Sequence, residues 1–69
     1  MRILIIRLGA TGDVVRTTAL LNVLKGEIQW LTYDHNIILL QDLSEISRLI
    51  PWSKNEILNN AQYDLVINL

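Results

Sequence analysis

Sixty-nine residues allow one small domain and exclude two packed domains with a cleft between them. The chain has no cysteine and one histidine, so disulfides, thiolate chemistry and the common zinc spacings are excluded. Six Lys+Arg against seven Asp+Glu leave a net charge of -1 and argue against a nucleic-acid footprint, which needs a basic face. Apolar residues make up 51% of the chain, and the mean hydropathy is +0.31. That composition excludes disorder and suggests surface meant to be covered by something more. The apolar runs 3–6 and 37–40 are too short to span a bilayer, which takes about 20 residues. With no cleavable leader pattern, a cytoplasmic location is expected.

In chain order, Arg2–Ile6 contains an unbroken apolar run, residues 3–6 (ILII), without alternation. This predicts a central parallel strand buried on both faces. Residues 8–12 (LGATG) form a glycine-bearing turn. Asp13 opens a helix, and Lys25-Gly26 closes it with a cation and a C′ glycine. Within that helix Val14, Val15, Ala19, Leu20, Leu21, Val23 and Leu24 cover more than one face, which predicts packing on several sides. Thr17 or Thr18 is expected to bond back to a helix carbonyl.

Residues 28–33 (IQWLTY) predict a second strand with Trp30 in the core. Asp34 is placed to cap a second helix through residues 37–40, with His35 on the surface. Residues 46–50 predict a third strand stopped by Pro51. Ser53-Lys54-Asn55-Glu56 reads as a capping box that starts a short helix to about Ala61. Residues 63–69 (YDLVINL) predict a fourth strand.

The order βαβαβαβ implies an α/β, Rossmann-like three-layer half-domain. Its parallel four-stranded sheet is expected in the order 3-2-1-4, with helices on both faces. Right-handed crossovers put the first two helices on one face and the third alone on the other. One short helix cannot cover four strands, and the last strand is apolar. Apolar surface is therefore expected to stay open, as in a piece of a larger protein or a homo-oligomer joined through uncovered sheet faces.

Ligands of open parallel sheets bind beyond the carboxyl ends of the strands, where the strand order reverses. Here that place is the turn Arg7-Leu8-Gly9-Ala10-Thr11-Gly12-Asp13. Three readings compete for it. A degenerate dinucleotide site would use Gly9 and Gly12, with Asp34 at 22 positions after Gly12 as the ribose-binding acid. Arg7 and Val15 then stand where glycines are wanted, and Asp13 would repel a pyrophosphate. In the plainest reading, Gly9 and Gly12 supply positive φ and Asp13 caps the helix.

The third reading comes from the string R-L-G-x-x-G-D-V-V-x-T-T-x-L-L over residues 7–21. Together with residues 28–31 (IQWL), 49–52 (LIPW) and 63–69 (YDLVINL), it resembles the N-terminal part of the family-9 glycosyltransferases. These are the ADP-heptose:lipopolysaccharide heptosyltransferases and their relatives. Ala19 stands where many relatives carry Pro, a change of helix geometry alone. The resemblance implies that residues 1–69 are a single incomplete N-terminal, acceptor-side domain of a two-domain enzyme. It implies an inverting, metal-independent transfer from a nucleotide-sugar to a glycan or lipopolysaccharide-core acceptor, with no cofactor. Asp13 matches the general base, and Arg7, with Gly9 and Gly12, matches the acceptor-binding turn. The donor-binding half lies outside this stretch, so the 69 residues alone are expected to be inactive. A stand-alone α/β module that forms an oligomer or complex is the alternative class.

Overall fold

The computed structural model describes residues 1–9 and 11–69, and all side chains among them except those of Thr11 and Asn60. Ala10, in the middle of the glycine-bearing turn, lies outside the described residues. The strands are β1 (Arg2–Ile6), β2 (Glu27–Thr32), β3 (Arg48–Pro51) and β4 (Leu65–Asn68). They form one parallel sheet in the order β3-β2-β1-β4. Helix α1 (Thr11–Thr17) runs into a 3-10 turn, Thr18–Asn22. A 3-10 turn, Asp34–Asn36, leads into α2 (Ile37–Leu40). A longer 3-10 segment, Trp52–Asn60, joins β3 to β4. The α/β class and the 3-2-1-4 order are thus as the sequence predicts.

The two sheet faces carry different loads. Ile3 and Ile5 of β1 and Ile28 and Trp30 of β2 point to one face, where they pack with Val14, Leu21 and Leu40 from the first two helical crossovers. Leu4, Leu31 and Ile50 point to the other, under Leu58 of the 3-10 segment and Tyr63. The alternation follows from the two-residue period of strands. The division of helical segments between the faces is the one that the sequence predicts. Trp30 is fully buried. Its indole N–H meets no acceptor among the described residues, so the apolar body of the ring holds it there.

The edge strand β4 is less covered than its neighbours. Leu65 and Val66 are 39% and 51% exposed. The two lie on opposite faces, since β4 pairs Leu65 with Ile3 and Val66 with Leu4. Apolar surface therefore remains open on this edge, in line with the expectation. The other edge strand, β3, carries exposed Arg48 and ends on Pro51, two features that discourage further pairing.

Several local expectations are corrected. The first helix does not run from Asp13 to Lys25. It starts at Thr11, tightens to 3-10 at Thr18, and ends at Asn22. The expected back-bonds do form: the Thr17 Oγ1 donates to the Asp13 carbonyl at 2.8 Å and the Thr18 Oγ1 to the Val15 carbonyl at 2.6 Å. Back-bonding of this kind bends helices, and here the tightening begins beside it. Val15 and Val23, expected to be packed, are 49% and 71% exposed.

Gly26 is needed for a different reason from the one its position suggested. Its φ is +133°, and a Cβ there would lie 2.4 Å from the Met1 carbonyl oxygen. It lets the chain pass against Met1 so that the Glu27 N–H can reach the Met1 carbonyl at 2.9 Å. The Ser53–Glu56 capping box does not form. The segment begins at Trp52, non-helical backbone at Lys54 (φ -120°, ψ 30°) interrupts it, and no side chain caps its start.

Candidate functional site at the carboxyl end of the sheet

β1 is the strand from which the chain crosses to β2 on one side and pairs with β4 on the other. The turn that leaves its carboxyl end therefore sits at the reversal of strand order, where parallel sheets bind ligands. The Arg7 N–H extends the ladder by donating to the Leu31 carbonyl at 3.1 Å. Beyond it the chain turns back into α1.

The geometry brings Arg7, Gly9 and Asp13 together. The Arg7 Nη2 lies 3.6 Å from the Asp13 Oδ2. A Cβ built on Gly9 would lie 3.6 Å from the Arg7 Cζ and 3.7 Å from the Asp13 Cβ. The guanidinium thus packs over Gly9 beside the carboxylate. Its side chain is 26% exposed, and its Nε is buried with no acceptor among the described residues. The outer nitrogens are the part that can meet a ligand.

Asp13 is not a cap. It is the third residue of α1, within the first turn, where a carboxylate interacts favourably with the helix dipole. It also lies 3.7 Å from the Arg16 Nη1, whose side chain is 84% exposed. Both ion pairs are longer than a hydrogen bond. The half-exposed carboxylate (45%) therefore keeps lone pairs without a short hydrogen bond among the described residues.

The glycines do not serve positive φ. Gly26 is the one glycine with a positive φ among the described residues, which overturns that reading of Gly9 and Gly12. A Cβ on Gly9 would make ordinary contacts. A Cβ on Gly12 would meet nothing within 4 Å. Gly12 thus leaves bare helix surface one residue before Asp13, and nothing in the packing of the described residues requires a glycine there.

Of two residues that tie the loops at this end, Asn36 carries no role in the sequence reading and Ser53 a different one, as a helix cap. Asn36 is fully buried, and its Nδ2 donates to the Gly9 carbonyl and to the Thr32 Oγ1, each at 3.3 Å. It ties the turn after β1 to the end of β2. The available signal was a lone amide beside the apolar run 37–40, since a buried polar group must find partners. Ser53 is the second. Its N–H and Oγ donate to the two carboxylate oxygens of Asp34, at 3.0 Å and 2.5 Å. These bonds hold the Asp34 carboxyl below its ordinary range. Asp34 therefore joins the loop after β2 to the loop after β3 and does not cap α2. The carboxylate proposed for a ribose is thus engaged by Ser53.

Among the described residues no three His, Asp or Glu side chains gather into a metal-binding group, and the surface encloses no pocket. No described helix is long and apolar enough to cross a membrane. Compared with known protein families, curated proteins and solved structures, the chain has no significant match.

Proposed function

We propose that this chain is the acceptor-side half of an inverting glycosyltransferase that moves a sugar from a nucleotide-sugar to a glycan or lipopolysaccharide-core hydroxyl. The observation that carries the reading is the Arg7–Asp13 pair over Gly9 at the strand-order reversal, with the carboxylate half-exposed. A base for a hydroxyl needs that combination of access and unspent lone pairs. The motif over residues 7–21 and the strand order of a Rossmann-like half-domain agree with it.

In this mechanism the acceptor oxygen attacks the anomeric carbon while its proton passes to Asp13. The bond from that carbon to the diphosphate breaks, and the electron pair leaves with the nucleoside diphosphate. The anomeric centre inverts. Arg7 holds an acceptor phosphate or carboxylate by charge-assisted hydrogen bonds. The donor half comes from protein beyond these 69 residues, so isolated residues 1–69 do not turn over. The reading places the protein in the cytoplasm, where nucleotide-sugars are used.

The test is a transfer assay on the enzyme that carries this domain, wild type against Asp13→Asn. Turnover should fall about 100-fold or more. Near-normal turnover of a folded variant removes Asp13 as the base.

One observation favours a second reading, a module that assembles with copies of itself. β4 exposes Leu65 and Val66 and carries no charged residue between Leu65 and Asn68. Sedimentation at several concentrations tests it, because a stable monomer that binds no hydrophobic dye leaves that reading without support.

A further inference from the structure

Of the two edges of the sheet, β4 is the one open to a further strand. On the other edge, β3 carries exposed Arg48 and closes on Pro51. β4 has no charged residue from Leu65 to Asn68. Leu65, Val66 and the following Leu69 are all exposed. An uncharged apolar edge of this kind is a template for pairing with another strand.

The backbone decides which groups of that edge are free. The Leu69 N–H donates to the Ile6 carbonyl at 2.9 Å. β4 keeps register with β1 from the Ile3–Leu65 pair to the Ile6–Asn68 pair. Alternate residues of a strand turn their N–H and C=O to the same side. Leu65, Ile67 and Leu69 therefore face β1. The N–H and C=O of Val66 and Asn68 point away from the sheet, where no strand of this chain lies. Asp64, just before the strand, turns its N–H inward to the Arg2 carbonyl at 2.8 Å.

We infer that β4 is a self-pairing edge, through which two copies of this chain join as antiparallel strands about a two-fold axis beside Ile67. This names the surface and the register of the self-assembly reading above, and rests on that reading. In this register Val66 exchanges both backbone hydrogen bonds with Asn68 of the second copy, and Asn68 does so with Val66 of the second copy. Every outward backbone group of Val66 and Asn68 is then satisfied. Ile67 faces its own copy, and Leu65 faces Leu69 of the second copy, as the close pairs between the hydrogen-bonded ones. The exposed leucines thus cover each other on the face of Ile3 and Ile67. A register centred on Val66 would need the Asp64 N–H, which Arg2 already holds. Charge fits as well, since residues 65–69 bring no charged side chain against another. Pairing of β4 with β3 of a second copy meets Arg48 and Pro51 and leaves open ends instead of a closed dimer.

The test uses the whole chain at concentrations from about 10 µM to 1 mM, the range of a small interface. Sedimentation should show a monomer–dimer equilibrium and no larger species. Over the same range, hydrogen exchange at the Val66 and Asn68 amides should slow at least about tenfold. The Ile67 amide, which faces β1, should stay protected throughout. Val66→Lys sets a cation on the edge and should weaken the dimer at least about tenfold. A synthetic chain N-methylated at Val66 loses one outward donor, keeps the ladder to β1, and should weaken the dimer likewise. The indole resonance of buried Trp30 reports that each variant is folded.

A dimer that survives both changes, with the Val66 and Asn68 amides exchanging freely, overturns the strand pairing and keeps assembly through another surface. A monomer at every concentration overturns the pairing and the self-assembly reading together. Growth beyond the dimer overturns the two-fold pairing in favour of β4 on β3.

Discussion

The two ends of the parallel sheet are built differently. At the amino end, Arg2 spends its donors on the chain itself. Its backbone N–H bonds the Asp64 carboxylate at 2.7 Å, its Nε bonds Glu27 at 2.9 Å, and its Nη1 bonds the Gln62 carbonyl at 3.0 Å. Its guanidinium also stands 5.3 Å from the centre of the Tyr63 ring. These contacts stitch β1, β2 and the approach to β4 together. At the carboxyl end the backbone is tied by Asn36 and by the Asp34–Ser53 bonds, but Arg7 and Asp13 meet at 3.6 Å. The same residue types are bonded at one end and kept in reserve at the other. The loops and helix starts of a parallel sheet all open at the carboxyl end, so side chains there can stay loosely paired while the amino end is stitched.

The largest effect that sharpens this contrast is on turnover. Under the proposed transferase reading, Asp13→Asn cuts transfer about 100-fold while changing the free energy of unfolding by less than about 1 kcal/mol, since both its ion pairs are long and solvent-screened. A stability loss comparable with that of a core mutation would make Asp13 a structural residue and break the contrast.

Gly26→Ala attacks the amino end. The left-handed φ and the 2.4 Å approach to the Met1 carbonyl leave no room for a methyl group. Chemical denaturation should show a loss of about 1–3 kcal/mol, with hydrogen exchange at residues 7–9 unchanged. Asn36→Ala removes a buried amide and its donations to Gly9 and Thr32, and should cost about 1–3 kcal/mol. Unlike Gly26→Ala, it should also loosen the Arg7–Asp13 turn, seen as faster hydrogen exchange at residues 7–9.

A smaller effect is expected from acid. The Ser53 hydrogen bonds lower the Asp34 pKa, and the Arg2 hydrogen bond chiefly lowers that of Glu27. A carboxyl lowered in the folded state stabilises the fold at every pH above its unfolded value. That contribution disappears as the pH falls through the folded value. Both should therefore be intact near neutrality and fade below about pH 4. Asp34→Asn should flatten the acid limb of the stability profile, and an unchanged limb would show that the Ser53 bonds carry none of it. The smallest effect belongs to Arg16→Ala. Its side chain is 84% exposed and its pair with Asp13 is 3.7 Å long, so stability should move by less than about 0.5 kcal/mol.

Strand positions and their order were legible in the residues. The run Ile3–Ile6 has no polar break, and β-branched and aromatic residues cluster again at Ile28 and at Val66-Ile67, each before or after a turn signal. Alternation then assigns Ile3, Ile5 and Trp30 to one face and Leu4 and Leu31 to the other. The place of the Arg7–Asp13 turn follows from the same order. These features depend on a local period of two and on the handedness of crossovers, and both are written in the chain.

Local signals failed wherever a partner from far along the chain outbid a near one. Ser53 had Glu56 three residues away and bonds Asp34 instead, 19 positions back. Asp34 had α2 ahead of it and went to Ser53. Gly26 looked like a cap and proved to be a passage beside Met1. Asn36 met Gly9 across 27 positions, and the Tyr33–Trp52 ring contact joins two separate loops. Hydrophobic periodicity is a property of neighbours in the chain. The partner of a polar group or a ring is set only when packing has brought distant loops together, and that meeting was the work of the tertiary structure.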